Sequence, residues 1–343
     1  MAFSEKIISW YHQNKRDLPW RNTSDPYQIW LSEIILQQTR VDQGLSYYNK
    51  FIENYPTINS LASASEKDIL NLWQGLGYYS RARNLHFTAK FIVEKHNGIF
   101  PTEYVDVLNL KGVGEYTAAA ITSFAYGLSY PVIDGNVYRV LSRIFGIEMP
   151  IDSTEGKKIF KKLAIELIDT KNPADYNQAI MEFGALQCTP KKPNCENCPF
   201  RLECFALTNE LILELPKKEK KIKQRNRYFN YIVIIDNENI YLKERTEKDI
   251  WIGLYDFPLI ETDKPLISFD KINKKYNSYK LTLQKKSEEY KHILSHQKIY
   301  ATFWLVSTKN STKINSNFTK IPLKEINNYP IPKLIDNYLK TIL

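Results

Sequence analysis

The sequence predicts a mainly α N-terminal part followed by a smaller α+β part. Three observations carry this. Helical periodicity dominates up to about residue 207. A texture of β-branched and aromatic residues appears only beyond residue 227. All four cysteines of the 343-residue chain, Cys188, Cys195, Cys198 and Cys204, fall in one short stretch. A chain of this length suggests two domains, and a hydrophobic content of 43% suffices for real cores. The expected limits are residues 1–207 for the helical part, 208–227 for a basic linker and 228–343 for the second domain.

Within the first part, Ile29–Phe51 sets Ile29, Trp30, Ile34, Val41, Leu45 and Tyr48 near helical spacing. Arg81–Lys95, Thr117–Tyr126, Val137–Ile147, Gly156–Ile168 and Tyr176–Leu186 read the same way. Glycines and prolines such as Gly98, Pro101, Gly127, Pro131, Pro150 and Pro173 punctuate them. Beyond the linker, Tyr228–Asp236, Asn239–Lys243 and Ile299–Val306 have strand composition, and Leu323–Leu343 ends the chain helically.

The net charge of +9 would suit a polyanionic partner. Its distribution weakens that reading. Residues 1–210 hold 22 Lys and Arg against 23 Asp and Glu, whereas residues 211–343 hold 25 against 15. Leu211–Arg227 alone has seven basic and two acidic residues, as a solvated linker would. Local motifs must carry any claim about DNA. No run of eighteen apolar residues is present, so no membrane span is expected. The N-terminus runs into an amphipathic segment rather than a secretory signal, so a reducing, cytoplasmic setting is expected.

The cysteines are separated by six, two and five residues. In a reducing setting four thiolates on one loop point to a metal or an iron–sulfur centre rather than to disulfides. Structural zinc usually uses two Cys-x-x-Cys knuckles, or one knuckle with a histidine pair. Here there is one knuckle and no histidine. Zinc is disfavoured but stays open on spacing alone. Lys191 and Lys192 lie between the first two cysteines, placed to meet phosphate.

Residues 108–118 read Leu-Asn-Leu-Lys-Gly-Val-Gly-Glu-Tyr-Thr-Ala. One helix ends, Gly112 and Gly114 permit a tight turn and a close backbone approach, and a second helix begins. Amides at its N-terminus can hold a phosphate. Such a helix–hairpin–helix grips one DNA strand without reading sequence. Two carboxylates complete the pattern. Glu33 sits mid-helix beside Ile34, Ile35 and Leu36, surroundings that raise a carboxyl pKa and suit a general acid. Asp134 precedes a helix, where an N-cap role would by itself explain an Asp and where amides can keep a carboxylate ionised to stabilise a sugar cation.

The cysteine spacing, the Gly-Val-Gly hairpin and Asp134 about twenty residues beyond it resemble the endonuclease III superfamily of DNA glycosylases. Leu18-Pro19-Trp20, Trp30-Leu31-Ser32-Glu33, Leu36-Gln37-Gln38-Thr39, the run Leu72–Leu85 and Asp134-Gly135-Asn136-Val137 are similar to its adenine DNA glycosylase (MutY) branch. The resemblance implies a six-helix barrel with an iron–sulfur domain, and a 4Fe–4S cluster on Cys188, Cys195, Cys198 and Cys204. It also implies a monomeric enzyme in base excision repair, acting on duplex DNA with adenine opposite 8-oxoguanine or guanine. By the same resemblance Glu33 protonates a flipped-out adenine and Asp134 stabilises the sugar cation. Tyr116 and Asn136 orient them, and Trp20, Arg21 and Gln178 line the adenine pocket. Gln38, Tyr78, Gly112, Gly114, Lys191 and Lys192 contact DNA. Bifunctional endonuclease III relatives carry a lysine nucleophile where this chain has Tyr116, so a monofunctional glycosylase is expected.

The second domain resembles the Nudix-like C-terminal domain of that family, with Gly253-Leu254-Tyr255-Asp256-Phe257-Pro258 as its element. The Arg-Glu-x-x-Glu-Glu helix of a Nudix hydrolase is absent from the sequence after it, so recognition is expected rather than hydrolysis. Leu294-Ser295-His296 stands where the family has Phe-Ser-His and reads 8-oxoguanine, with Ser295 and His296 as the expected readers. Two alternatives remain at this point: another glycosylase or lyase on the same scaffold, which Tyr116 disfavours, and a non-enzymatic DNA-binding module, which the retained pair Glu33 and Asp134 disfavours.

Overall fold

Helix succeeds helix through residue 208 because apolar residues recur at helical spacing between capped ends. The computed structural model describes residues 2–219, 224–266, 268–308 and 314–342. Residues 220–223 of the expected linker and Leu343 of the expected C-terminal helix lie outside the described residues. The chain divides into two compact units, residues 1–63 with 84–220, and residues 64–83 with 221–343.

The first unit contains α1 (Phe3–Asn14), α2 (Pro26–Leu36), α3 (Val41–Asn54) and α4 (Ile58–Ser63). It continues with most of α6 (Ser80–His96), then α7 (Tyr104–Leu108), α8 (Glu115–Tyr126), α9 (Gly135–Phe145), α10 (Thr154–Leu167), α11 (Pro173–Leu186) and α12 (Phe205–Thr208). Helix α2 begins with Asp25 accepting from the Tyr27 amide and with Pro26 in the first turn. Its residues 29–35 are all buried, so it is an internal helix with no solvent face. One core joins Ile7 and Tyr11 of α1 to Val137, Val140 and Leu141 of α9 and to Ile180 and Phe183 of α11.

Two expectations are corrected here. The stretch Ile29–Phe51 is two helices rather than one, because the chain breaks at Gln37–Arg40, where Gln38 takes φ +57°. The second concerns the expected linker. Leu215 is a member of the helical core, Leu211 and Ile212 pack against it, and the Leu215 carbonyl accepts from Arg143 Nε at 3.1 Å. The chain is therefore held to the first unit well past residue 208.

The second unit opens with α5 (Glu66–Leu72) and the start of α6, and then builds a sheet. Its strands are β1 (Arg225–Asp236), β2 (Asn239–Glu244), β3 (Tyr255–Asp256), β4 (Leu259–Thr262), β5 (Leu281–Lys286), β6 (Tyr290–Ile293), β7 (Gln297–Thr308) and β8 (Thr319–Pro322). The order is β3-β2-β1-β7-β5, with β4 on β1, β6 on β7 and β8 on β2. The central pair β1 and β7 is parallel, with Tyr231 opposite Phe303. Alternation along β1 feeds two cores. Phe229, Tyr231 and Val233 face α14 (Lys333–Leu339), whose Tyr338 ring stacks on Phe303 at 4.0 Å. Ile232 and Ile234 join Trp304 and Val306 in the other core, with Ile272 of α13 (Asp270–Lys275). The helical C-terminus is interrupted: a 3-10 turn at Leu323–Asn328 precedes α14. The expected sequence of a mainly α part and then an α+β part is the one found.

Candidate active site

A cavity of about 400 Å³ opens in the helical unit, walled by α2, α8, α9, α11 and the loop carrying Leu18–Arg21. Glu33, Tyr116, Asp134, Asn136, Trp20, Arg21 and Gln178 all line it. These residues are spread over more than 150 positions, and folding brings them to one cavity.

Glu33 is 6% exposed. Burial in the apolar helix α2 raises its carboxyl to about 7, against a hydrogen bond from Tyr116 that favours the anion, and the neighbouring Asp134 charge adds to the rise. Tyr116 stands in the first turn of α8, and its hydroxyl also lies 3.2 Å from Met181 Sδ. Burial first, then the Glu33 and Asp134 charges, push the phenol well above its ordinary value, so it stays a donor. One hydroxyl proton serves two acceptors. When Glu33 is ionised the proton goes to its carboxylate. When Glu33 is protonated it can donate to the Tyr116 oxygen while Tyr116 donates to Met181.

Asp134 is the N-cap of α9. One carboxyl oxygen accepts from the amides of Asn136 and Val137, both at 2.8 Å, and the other from Asn136 Nδ2 at 2.7 Å. Burial is the larger influence on this carboxyl and raises it, with the three donors and Arg139 working against the rise. Arg139 in turn holds Asn136 Oδ1 at 2.9 Å and the Gly184 carbonyl at 2.7 Å. The loop before Asp134 is clamped by Asn177, fully buried, which accepts from the Val132 amide at 3.1 Å and donates to the Tyr130 carbonyl at 2.8 Å.

The far wall centres on Glu182, which the sequence reading missed. Burial would raise this carboxyl, but hydrogen bonds from Arg16 and Arg21 bring it to about 2. Arg21 grips it with both terminal nitrogens at 2.9 and 2.7 Å, so this guanidinium is held by a buried partner. Tyr11 donates to Gln178 Oε1 at 2.9 Å. Trp20 is 9% exposed and meets the Tyr48 ring edge-on at 5.1 Å. Glu182 lies four residues after Gln178 on α11, and Arg139 three after Asn136 on α9. That helical spacing is the signal that could have found both.

Residues 31–165 match the model of the HhH-GPD superfamily of base excision DNA repair proteins, and residues 230–341 match that of the NUDIX domain. The chain is 36% identical over 327 residues to an adenine DNA glycosylase of Buchnera aphidicola subsp. Baizongia pistaciae, covering 93% of this chain and 90% of that one. The chain belongs to the adenine DNA glycosylase family. It is thus a DNA N-glycosylase of base excision repair. Human adenine DNA glycosylase is 44% identical over 215 residues, which cover 60% of this chain and 39% of the human one. Among solved structures, a thermostable thymine-DNA glycosylase is similar with a TM-score of 0.57 and 30% identity, over 60% of this chain and 95% of that one. An endonuclease III in a non-covalent DNA complex shares the fold, with a TM-score of 0.53 at 19% identity over 61% of this chain and 94% of that one. No helix among the described residues is long and apolar enough to cross a membrane.

Gly112 takes φ +86°, and a Cβ there would stand 2.9 Å from Asn84 Cβ. Only glycine fits that turn. Gly114 caps α8 in an extended conformation with open space around it, so the backbone there is accessible without any steric demand for glycine. Gln38, Tyr78, Lys191 and Lys192 are exposed.

All four cysteines line one small cavity with Ile144, Phe183, Leu207 and Ile212. Arg143 reaches Cys188 Sγ at 3.4 Å and the carbonyls of Thr189 and Pro190 at 2.8 and 2.9 Å, fixing the start of the loop. Burial pushes the thiols of Cys195 and Cys204 up, and that of Cys198 to about 11, with the neighbouring thiolates adding repulsion. Four thiolates in such a site need a compensating cationic centre. The donor set is all sulfur, as iron–sulfur clusters take. Among the described residues no group of three or more His, Cys, Asp or Glu is placed to hold a single metal ion.

In the second unit Tyr78, 48% exposed, hydrogen-bonds through its hydroxyl to Ser295 Oγ. Ser295 and His296 line a cavity of about 580 Å³ with Tyr78, which residues 64–83 contribute to this unit. His296 is exposed and Ser295 half-buried.

Proposed function

We propose that this protein excises adenine paired with 8-oxoguanine, or with guanine, from duplex DNA, as a monofunctional glycosylase. The observation that carries this is the meeting of Glu33, raised to about 7, with Asp134 and Tyr116 around one cavity. In this reading adenine turns out of the duplex into the cavity, between Trp20, Arg21 and Gln178. Glu33 gives its proton to N7 of the base. The C1′–N9 bond breaks, its electron pair leaves with adenine, and the positive charge stays on the sugar. The Asp134 carboxylate stabilises that cation from the N-cap of α9, with Asn136 fixing its orientation. Water then attacks C1′ and yields its proton to the ionised Glu33, which restores the acid. Tyr116 offers no amine to form a Schiff base, so strand cleavage is not part of the cycle.

Gly112, Gly114, Gln38, Tyr78, Lys191 and Lys192 meet the DNA in this proposal. Ser295 and His296 read the base opposite adenine. Cys188, Cys195, Cys198 and Cys204 hold a 4Fe–4S cluster whose contribution is to order the loop, because all four thiolates are spent on it. The protein acts as a monomer, and its setting is the bacterial cytoplasm and nucleoid. The test is single-turnover excision on duplexes with adenine opposite 8-oxoguanine, guanine or thymine. Alkali-revealed abasic sites opposite the first two support the reading. Excision of the base opposite adenine instead, or strand breaks without alkali, overturns it.

A further inference from the structure

Two aromatic residues in the second unit adopt a backbone conformation that bulky side chains avoid. Among the described non-glycine residues with positive φ, only Tyr78 (+46°) and Trp251 (+61°) are aromatic. Left-handed backbone at a bulky residue costs free energy, and it persists where surrounding structure imposes it, often at ligand sites. Both residues line the same cavity as Ser295 and His296.

Trp251 is held there firmly. Its carbonyl accepts from the Leu254 amide at 3.0 Å, closing the turn, and the next carbonyl, of Ile252, accepts from Arg83 Nη1 at 2.5 Å. Its ring meets His292 at 5.7 Å and Phe229 at 6.3 Å, both edge-on. Burial lowers the His292 pKa, so that neighbour is neutral and does not draw the indole into a cation contact. The ring remains half-buried at the cavity wall. Leu294, beside Ser295, is aliphatic and offers no π face.

We propose that Trp251 is a specificity-determining residue whose indole packs on the base opposite adenine while Ser295 and His296 meet its polar edge. This rests on the reading of the cavity as the one that recognises the oxidised purine. A stacking ring contributes binding for any purine. It contributes discrimination by fixing the plane in which the edge of the base meets its hydrogen-bonding partners.

The test uses the full-length protein with its cluster, and the ratio of single-turnover excision for adenine opposite 8-oxoguanine over adenine opposite guanine. W251G removes the ring and relieves the strained φ. W251F keeps a ring. The double variant S295A/H296A reports on the cavity itself. W251G is expected to lower the ratio by about tenfold, and W251F to keep most of it. A W251G ratio close to wild type, with S295A/H296A lowering it, overturns the role of Trp251 and leaves the cavity reading standing. If neither lowers the ratio, the cavity reading falls and the proposal with it. Equal losses in W251G and W251F, matched by equal losses of thermal stability, mark a packing residue and also overturn it.

Discussion

Replacing Glu33 by Gln separates what the residue does for catalysis from what it costs the fold. The carboxyl is 6% exposed and raised from 4.5 to about 7, with burial as the main cause. A group whose folded pKa lies above its unfolded value favours the folded state fully below the unfolded pKa, and that contribution is lost as pH rises through the folded pKa. For Glu33 the loss begins near pH 4.5 and is complete somewhat above pH 7. The interval of about 2.5 pH units corresponds to roughly 3 kcal/mol at 1.36 kcal/mol per unit. A glutamine carries no charge and escapes this loss. Glu33→Gln should therefore gain up to about 3 kcal/mol relative to wild type between pH 4.5 and pH 8.5, on the order of 6–12 °C in Tm for a unit of this size. The double difference, variant against wild type and high against low pH, cancels any packing effect of the amide.

The same variant cannot donate a proton. Single-turnover excision should fall by at least about 10³-fold at every pH while duplex binding survives. In the wild-type protein excision should decline as pH rises through about 7. At pH 7 a carboxyl with that pKa is about half protonated, against roughly 0.3% for an unperturbed one, so burial multiplies the reactive form by roughly 150. The measurements are Tm by calorimetry and excision rates across pH 4.5–8.5. A Tm difference that does not change with pH, or a variant that excises adenine near the wild-type rate, refutes the reasoning.

Asp134→Asn keeps an N-cap acceptor for α9, since Asn caps about as well as Asp, so Tm should change little. Excision should fall by several orders of magnitude because the cation loses its counter-charge; a rate near wild type removes Asp134 from the mechanism. Gly112→Ala sets a Cβ 2.9 Å from Asn84 Cβ at φ +86°, and should lower stability by about 1–2 kcal/mol and weaken duplex binding, whereas Gly114→Ala, with open space, should cost much less stability. Equal Tm losses in the two variants would contradict the hairpin geometry. Protein prepared without oxygen should carry about four iron atoms per chain, and Cys198→Ser should lower both iron content and Tm; stoichiometric zinc in their place refutes the cluster.

The parts of this protein legible in its sequence are those where one residue type carries rare chemistry. Four cysteines in seventeen positions, Gly-Val-Gly between helices, and a glutamate flanked by Ile34, Ile35 and Leu36 need no partner to be noticed. Glu182 reads as an ordinary helical acid, because the two arginines that bind it stand more than 160 positions away. The break between α2 and α3 carries neither glycine nor proline. It is made by Gln38 in a left-handed conformation, for which the polar run Gln37–Thr39 is the sole local hint. The strands β3 to β6 and β8 span two to six residues, and β5 is exposed at five of six positions, so alternation could not reveal them. Long central strands, buried on both faces, were visible as runs of Ile, Val, Phe and Tyr.

Burial raises both carboxyls of the cavity, so burial alone does not assign the acid and the anion. Their donors do. Asp134 has the Asn136 and Val137 amides, the Asn136 side chain and the Arg139 charge, all of which favour its ionised form. Protonating it would waste donors fixed by the start of α9. Glu33 has a single hydroxyl, and that hydroxyl is as well satisfied when Glu33 is protonated, because Met181 Sδ takes the tyrosine proton and the Tyr116 oxygen can accept from the acid. A cavity holding one proton between the two groups therefore keeps it on Glu33. In the proposed mechanism the departing base leaves positive charge on the sugar, and that charge lowers the Asp134 pKa further at the moment the anion is needed. The division of labour is then set by which element each carboxyl stands on: the middle of an all-buried helix for the acid, the N-terminus of a helix for the anion. Moving the acid to a helix end, or stripping α9 of Asn136, would blur that distinction. Asn136→Ala should accordingly slow excision and shift the pH profile, whereas a change at Trp20, on the base-binding wall, should weaken adenine binding and leave the profile in place.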